Sequence, residues 1–358
     1  MIATAARQGS PTSLGAPAPV AIARHTNARP PWRLLAVGMA WVNLHFQCLA
    51  AGPNGMLVAS GDHFVAALHL KKKGGLWRVK RLWKKRLVSA AHVLGPVRQI
   101  ALSDGGRRIG AVTGLSSRAV ALRTSDGRII AEKYLSIRRR RANNVVATSN
   151  GRFAIFSCSS NFAHRHPLPR QPGLVIAHAG DLRVRRKIVE GKRGCAWAVV
   201  GGGFALAAME PVAPRTPAPL RLFRWRSGRE VASVTPPHDV CMMVMLRNGD
   251  GAVVGGRHTL IKYSFRGRRI APTDTVRLKS GPPTSMVLSP NGRGLAVIAG
   301  GLQIFNVHGL RPLTAARKLW GANGSLAAGC AFFGGGKLIV TADFNGWIQV
   351  WRLQKVSR

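Results

Sequence analysis

Seven times between residues 41 and 354 the chain runs through one cycle of short apolar stretches and polar turns. An apolar run meets a Gly, Asn or Asp turn. A second apolar run ends in small residues, and third and fourth runs follow further turns. Runs this short, punctuated this way, make antiparallel strands joined by tight turns rather than helices. Such a unit cannot bury its apolar faces alone, so each needs a neighbour stacked against it.

The cycles fall at about 41–90, 91–141, 142–193, 194–237, 238–280, 281–320 and 321–354. Their turns include Gly52-Pro53-Asn54-Gly55, Asn248-Gly249-Asp250-Gly251 and Ser289-Pro290-Asn291-Gly292. Insertions at 159–172 and 211–219 interrupt the third and fourth cycles. Four strands per period of this size imply an all-β, seven-bladed β-propeller over residues 32–354, with a short tail at 355–358. The last cycle supplies three strands: Ser325–Phe333, Lys337–Asp343 and Trp347–Leu353. The run 32–39 (WRLLAVGM) is expected to add the fourth and close the ring, which removes an exposed edge.

The text GGGKLIVTADFNGWIQVWRL in the last cycle resembles a WD40 repeat. Trp351 stands at the family's repeat Trp, Arg352 replaces the Asp that usually follows, and Asn345 stands at the family's turn Asp. The resemblance covers about residues 32–354 and is weaker in the other cycles. The Gly-His pair that opens each repeat in the family is largely missing here. The resemblance therefore implies a WD40-like ring with degenerate repeats, held more by packing than by the family's internal hydrogen-bonded tetrads.

Charge is the second constraint. Fifty-four Lys and Arg oppose 12 Asp and Glu, a formal net charge of +42 in 38.4 kDa. A compact domain this charged repels itself unless a polyanion neutralises it, and RNA phosphates do so in proportion to Lys and Arg count. Lys84, Lys85 and Arg86 are expected after the fourth strand of the first blade. Arg138, Arg139, Arg140 and Arg141 follow that of the second, and Lys192 and Arg193 that of the third. Together they would form a basic crescent on one face. Turns of the opposite face carry Lys71, Lys72 and Lys73, Arg226 with Arg229, and Arg266 with Arg268 and Arg269. Outer strands add Arg78, Lys80 and Arg81, interleaved with Trp77 and Trp83, and Arg185, Arg186 and Lys187 beside Arg183. Arg clamps phosphates and stacks on bases, and Trp can stack too. One such cluster reads as a protected strand edge; the scarcity of acids along the whole chain does not.

Signatures of catalysis and metal binding are missing from the text. There is no phosphate-binding G-x-x-x-x-G-K-[ST], no H-E-x-x-H and no nucleophile elbow, and the Gly-Gly-Gly runs sit at strand turns. His164 and His166 lie in an insertion with no local carboxylate. Cys48, Cys158, Cys195, Cys241 and Cys330 form no C-x-x-C pair, so free buried thiols are expected. A non-enzymatic protein with no cofactor, metal or small-molecule substrate follows. Residues 34–52 carry Asn43, His45 and Gln47, which suits two strands and a turn better than a membrane span.

Residues 1–31 contain Arg7, Arg24 and Arg29 and no acid, the composition of an organelle transit peptide or a basic arm, although Pro11, Pro17 and Pro19 interrupt a helix. A scaffold subunit of a ribonucleoprotein is therefore expected, first of all a mitochondrial ribosome, with rRNA and neighbouring proteins as partners. The alternatives are a WD40-type adaptor for acidic proteins or an anionic membrane, and a nuclear or nucleolar RNA-processing factor using Arg138–Arg141 as a localisation signal. A cytoplasmic location is compatible with the adaptor.

Overall fold

A computed structural model describes residues 30–42, 44–87, 97–113, 118–135, 140–148, 151–160, 171–191, 195–210, 217–319 and 327–356. Their strands form seven four-stranded antiparallel sheets, the blades of a propeller. The first strand, β1 (Trp32–Trp41), belongs to the last blade. Blade 1 is the meander β2 (Phe46–Ala51), β3 (Met56–Gly61), β4 (Phe64–Lys73) and β5 (Leu76–Arg86). Blade 2 runs β6 (Val97–Ser103), β7 (Arg108–Thr113), β8 (Arg118–Arg123) and β9 (Ile129–Tyr134). Blade 3 runs β10 (Arg140–Ala147), β11 (Phe153–Ser160), β12 (Gln171–His178) and β13 (Val184–Gly191). Blade 4 runs β14 (Cys195–Gly201), β15 (Phe204–Met209), β16 (Leu220–Arg224) and β17 (Glu230–Val234).

Blade 5 runs β18 (Met242–Met245), β19 (Gly251–Gly255), β20 (Thr259–Arg266) and β21 (Arg269–Arg277). Blade 6 runs β22 (Ser285–Leu288), β23 (Gly294–Ile298), β24 (Leu302–Asn306) and the two-residue β25 (Arg311–Pro312). Proline cannot donate to a ladder, which suits so short an outer strand. Blade 7 combines β26 (Ala327–Phe333), β27 (Leu338–Asp343) and β28 (Trp347–Lys355) with β1. The pairing of β1 with β28 extends from Trp32↔Lys355 to Trp41↔Trp347, so the closing strand is two residues longer than the run 32–39. Among the described residues no helix is long and apolar enough to cross a membrane.

The ring is also closed by packing. Among the described residues there are seven apolar clusters, and each lies between two adjacent blades. Alternation along a strand explains this, because successive side chains point to opposite faces of a sheet. In β3, Leu57 and Ala59 pack toward blade 7, while Val58 packs toward blade 2. Both faces are buried, so inner strands read as unbroken apolar text rather than alternating text. Leu34 of β1 enters the cluster between blades 6 and 7. At 25 cal/mol per Å², a buried side chain of this kind contributes about 1.5–3 kcal/mol.

Polar ties between blades add to this packing. Ser157 Oγ donates to the Ala196 carbonyl at 3.3 Å, joining blades 3 and 4. The Cys330 N–H donates to Ser285 Oγ at 3.2 Å, joining blades 7 and 6. In the last blade the Trp351 indole donates to Thr341 Oγ1 at 3.0 Å. The β27–β28 turn is held by Asp343, whose Oδ1 accepts the N–H groups of Asn345 and Trp347, both at 2.9 Å. The carboxylate of this turn thus stands two residues before Asn345.

Candidate nucleic-acid interface

Chain direction sets which side chains share a face. In each meander the a–b and c–d turns lie at one end of the blade, and the b–c and d–a connections at the other. The most concentrated charge is on blade 1. Its β4–β5 hairpin carries Lys71, Lys72, Lys73, Arg78, Lys80, Arg81, Lys84, Lys85 and Arg86, all exposed, with no acid between Phe64 and Arg86. Register places Lys71 directly opposite Arg78. Like charges facing each other across a ladder are unfavourable. Each such pair costs only about 0.6 kcal/mol at ~7 Å in water, but the cost recurs along the hairpin and a polyanion would remove it. Lys84 lies 4.5 Å from the centroid of the Phe64 ring, a cation–π contact that fixes one of the nine.

Two expectations need correction. Lys84, Lys85 and Arg86 are the last residues of β5 and pair with residues 64–66, so they lie inside the strand rather than in the connection after it. Arg140 and Arg141 open β10, the inner strand of blade 3, and pair with Ser160 and Ser159. The ladder continues further than the apolar pattern suggests, because backbone pairing does not require apolar side chains at its ends. Arg138, Arg139, Lys192 and Arg193 lie outside the described residues, as do His164 and His166, most of both insertions and residues 1–29.

Trp77 and Trp83 serve as joints between blades. A register shift between Ala67 and Leu68 of β4 leaves Leu82 as the extra residue of β5, where its side chain is exposed. Before the shift, Trp77 packs edge-on to Phe333 of blade 7 at 6.2 Å and covers Gly38 of β1, where any Cβ would meet the indole. After it, Trp83 turns toward blade 2, donates to the Thr124 carbonyl at 2.8 Å and covers Gly127. Half-buried indoles committed in this way are not open stacking platforms.

The face of the a–b and c–d turns holds the other expected residues. Arg266, Arg268 and Arg269 are exposed around the β20–β21 turn of blade 5, and Arg185, Arg186 and Lys187 are exposed on β13. Arg226 and Arg229 are exposed in the β16–β17 turn. Sequence reasoning missed further arginines on this face, although a signal was there. Arg128, Arg152 and Arg293, like the expected Arg229, each follow a glycine with positive φ, at Gly127, Gly151, Gly292 and Gly228. Such a glycine ends the turn, and the next side chain leads into the following strand at the same face. All four arginines are exposed.

Open clefts of about 870 and 820 Å³ interrupt this face. The first lies over blade 3, between the edges of blades 2 and 4. Arg108, Arg152, Arg185, Arg186 and Arg226 line it, with Asp181 as its carboxylate. Its floor is aromatic: Phe153 lies 5.4 Å from Trp225 and 4.8 Å from His178. The Arg226 guanidinium sits 5.3 Å from the Trp225 ring centroid. Arg186 Nη1 donates to the Ser227 carbonyl at 2.9 Å, spanning blades 3 and 4. Asp181 Oδ1 accepts the Arg183 N–H at 2.9 Å, and that bond holds its carboxyl below the usual carboxylate range. The second cleft lies between blades 5 and 6, where Lys262 Nζ is 3.5 Å from Asp274 Oδ2 and donates to the His308 carbonyl at 2.9 Å.

No protein-family model matches this chain, and no curated protein matches it.

Proposed function

We propose that this chain is a rigid RNA-binding scaffold of a ribonucleoprotein, with a mitochondrial ribosome as the first complex to examine. The observation that carries the reading is the β4–β5 hairpin, where nine exposed cations share two paired strands without an acid. A hairpin protected only against strand addition needs one or two charges. Nine suit a surface neutralised by phosphates. The chain as a whole has 12 acids for 54 cations, so one-to-one pairing would leave 42 cations unmatched. Such contacts read backbone and shape rather than sequence.

Neighbouring proteins find a second kind of surface. Met39 and Trp41 on β1, Leu82 on β5, and Ile130 and Tyr134 on β9 are exposed large side chains on the outer strands of three consecutive blades, 7, 1 and 2. That row favours an adaptor role as the second reading, or as a second activity of the same scaffold.

Sedimentation of the tagged protein from gently lysed cells, with and without RNase, tests the choice. Co-migration with ribosomal subunits that collapses on RNase supports the scaffold. A smaller complex indifferent to RNase replaces it with the adaptor. Repeating the measurement on a mitochondrial fraction tests the organelle.

A further inference from the structure

We infer that the cleft over blade 3 holds one nucleotide of single-stranded RNA, its phosphate between the guanidinium groups of Arg185 and Arg226 and its base laid on the Arg226–Trp225 stack. The inference deepens the RNA-binding reading and rests on it.

The cleft joins two chemistries that backbone contacts alone do not need together. Its rim is guanidinium, which grips phosphate oxygens through paired N–H donors. Its floor is π-rich, with Phe153 tilted against Trp225 at 53°. Trp225 is buried, so a base reaches it only by way of Arg226, whose guanidinium carbon sits over the indole at 5.3 Å from its centroid. A guanidinium plane between an indole and a base is a stable sandwich, because it is weakly hydrated and faces π clouds on both sides. A duplex keeps its bases stacked inside, so a splayed single strand is the form that fits.

The walls are built to leave the space open. Arg186 is drawn aside to the Ser227 carbonyl, and its stem packs against Gly228, where a Cβ would lie 3.2 Å from Arg186 Cδ. Arg108 lies against the backbone of Gly180, where any side chain would collide with its guanidinium. Asp181 Oδ1 accepts the Arg183 N–H, which fixes the orientation of its carboxylate. Arg185 is exposed at the mouth. A volume of about 870 Å³ lies within the usual range for a small-ligand pocket and accommodates a nucleotide with its flanking phosphates.

Two experiments on the full chain decide the matter. The first measures anisotropy of a labelled single-stranded octaribonucleotide with wild type, with R185Q/R226Q, and with K72Q/K73Q, which removes the same charge from the blade 1 hairpin. The cleft variant is expected to lose about tenfold more affinity than the hairpin variant, since it loses a base contact as well as phosphate contacts. The second irradiates the wild-type complex and maps the cross-linked peptide, so no variant need fold. A cross-link within residues 217–230 supports the cleft.

Equal losses from the two variants, with cross-links confined to blade 1, overturn the cleft and leave the scaffold reading standing. A phosphoserine peptide that binds the wild type more tightly than the octamer, and weakens with R185Q/R226Q, makes the cleft a protein-recognition site and overturns the RNA assignment. No octamer binding by the wild type at physiological salt overturns both readings.

Discussion

The indole nitrogen of Trp83 donates to the backbone carbonyl oxygen of Thr124 at 2.8 Å, tying the outer strand of blade 1 to the β8–β9 turn of blade 2. The ring also covers Gly127, whose φ is +71° and whose added Cβ would lie 2.6 Å from the ring. Trp83→Ala is expected to destabilise the fold by about 3–5 kcal/mol, and Trp83→Phe by less. Gly127→Ala meets both a strained backbone and the indole, so a loss of about 2 kcal/mol is expected. Denaturant unfolding of the three variants measures this, and a Gly127→Ala protein as stable as wild type would contradict the packing.

Asp343 is buried, and its Oδ1 accepts two backbone N–H groups at the β27–β28 turn. Asp343→Ala orphans both donors and is expected to cost about 2–4 kcal/mol. Asp343→Asn keeps an acceptor oxygen and should recover at least half of that loss. Asn345→Ala should cost less than Asp343→Ala. Unfolding curves for the three variants rank these costs, and a larger loss at Asn345 would return the turn to that residue.

That turn shows where the sequence was legible and where it was not. The apolar cycles disclosed the strands, the seven blades and the closing strand, because period-2 burial and turn glycines are local properties. The WD40-like spacing put the turn residue at Asn345, but hydrogen bonding selected Asp343, since only coordinates show which carboxylate reaches the N–H groups. Trp77 and Trp83 were legible as outer-strand residues and not as joints. Their partners Phe333, Gly38, Thr124 and Gly127 lie on other blades, and alternation within one strand carries no information about the next blade. The cleft was half legible: Arg185, Arg186 and Arg226 stood out as basic text. Arg108 and Arg152 join them only when turns of blades 2 and 3 come together.

Thiol chemistry should follow burial. Burial pushes the Cys330 thiol up to about 12 and the Cys195 thiol well above its ordinary value, and it raises Cys48 and Cys241 as well. Cys241 is partly exposed, so reagent can reach it, although burial and the nearby Asp239 raise its thiol and Arg257 offsets them only in part. Thiol labelling of the native protein at pH 7.5 should modify Cys241 first, and Cys241→Ser should leave Cys195 and Cys330 unreacted until denaturant is added. Rapid labelling of Cys195 in the native state would contradict its burial.

His238 gives the fold a dependence on pH. Its ring meets Thr259 Oγ1 and presses on Gly256, and burial lowers its affinity for a proton despite the nearby Asp239. The folded pKa is below the unfolded one, so the unfolded chain takes up the proton first as pH falls. The contribution to stability is complete above the unfolded value of about 6.5 and declines as pH drops from there toward the folded pKa. Unfolding free energies at pH 7.5 and 5.5 should therefore fall with acid in the wild type and fall less in His238→Gln. An equal acid loss in the two proteins would place the titration elsewhere.

Lys71, Lys72 and Lys73 end β4 with their side chains in solvent, opposite Arg78, Trp77 and Leu76 of β5. Nothing in the core depends on them, and Lys71 repels the cation it faces. Replacing all three with Ala should leave the melting temperature unchanged or slightly raised, since like charge is removed. RNA affinity should fall at low salt, and the slope of log K against log salt should shrink by about 2 if each lysine releases a counterion from a single strand. Binding titrations of wild type and the triple variant at several salt concentrations read both numbers. A lower affinity with an unchanged slope would mean that the lysines act through the shape of the hairpin and not through phosphate contact.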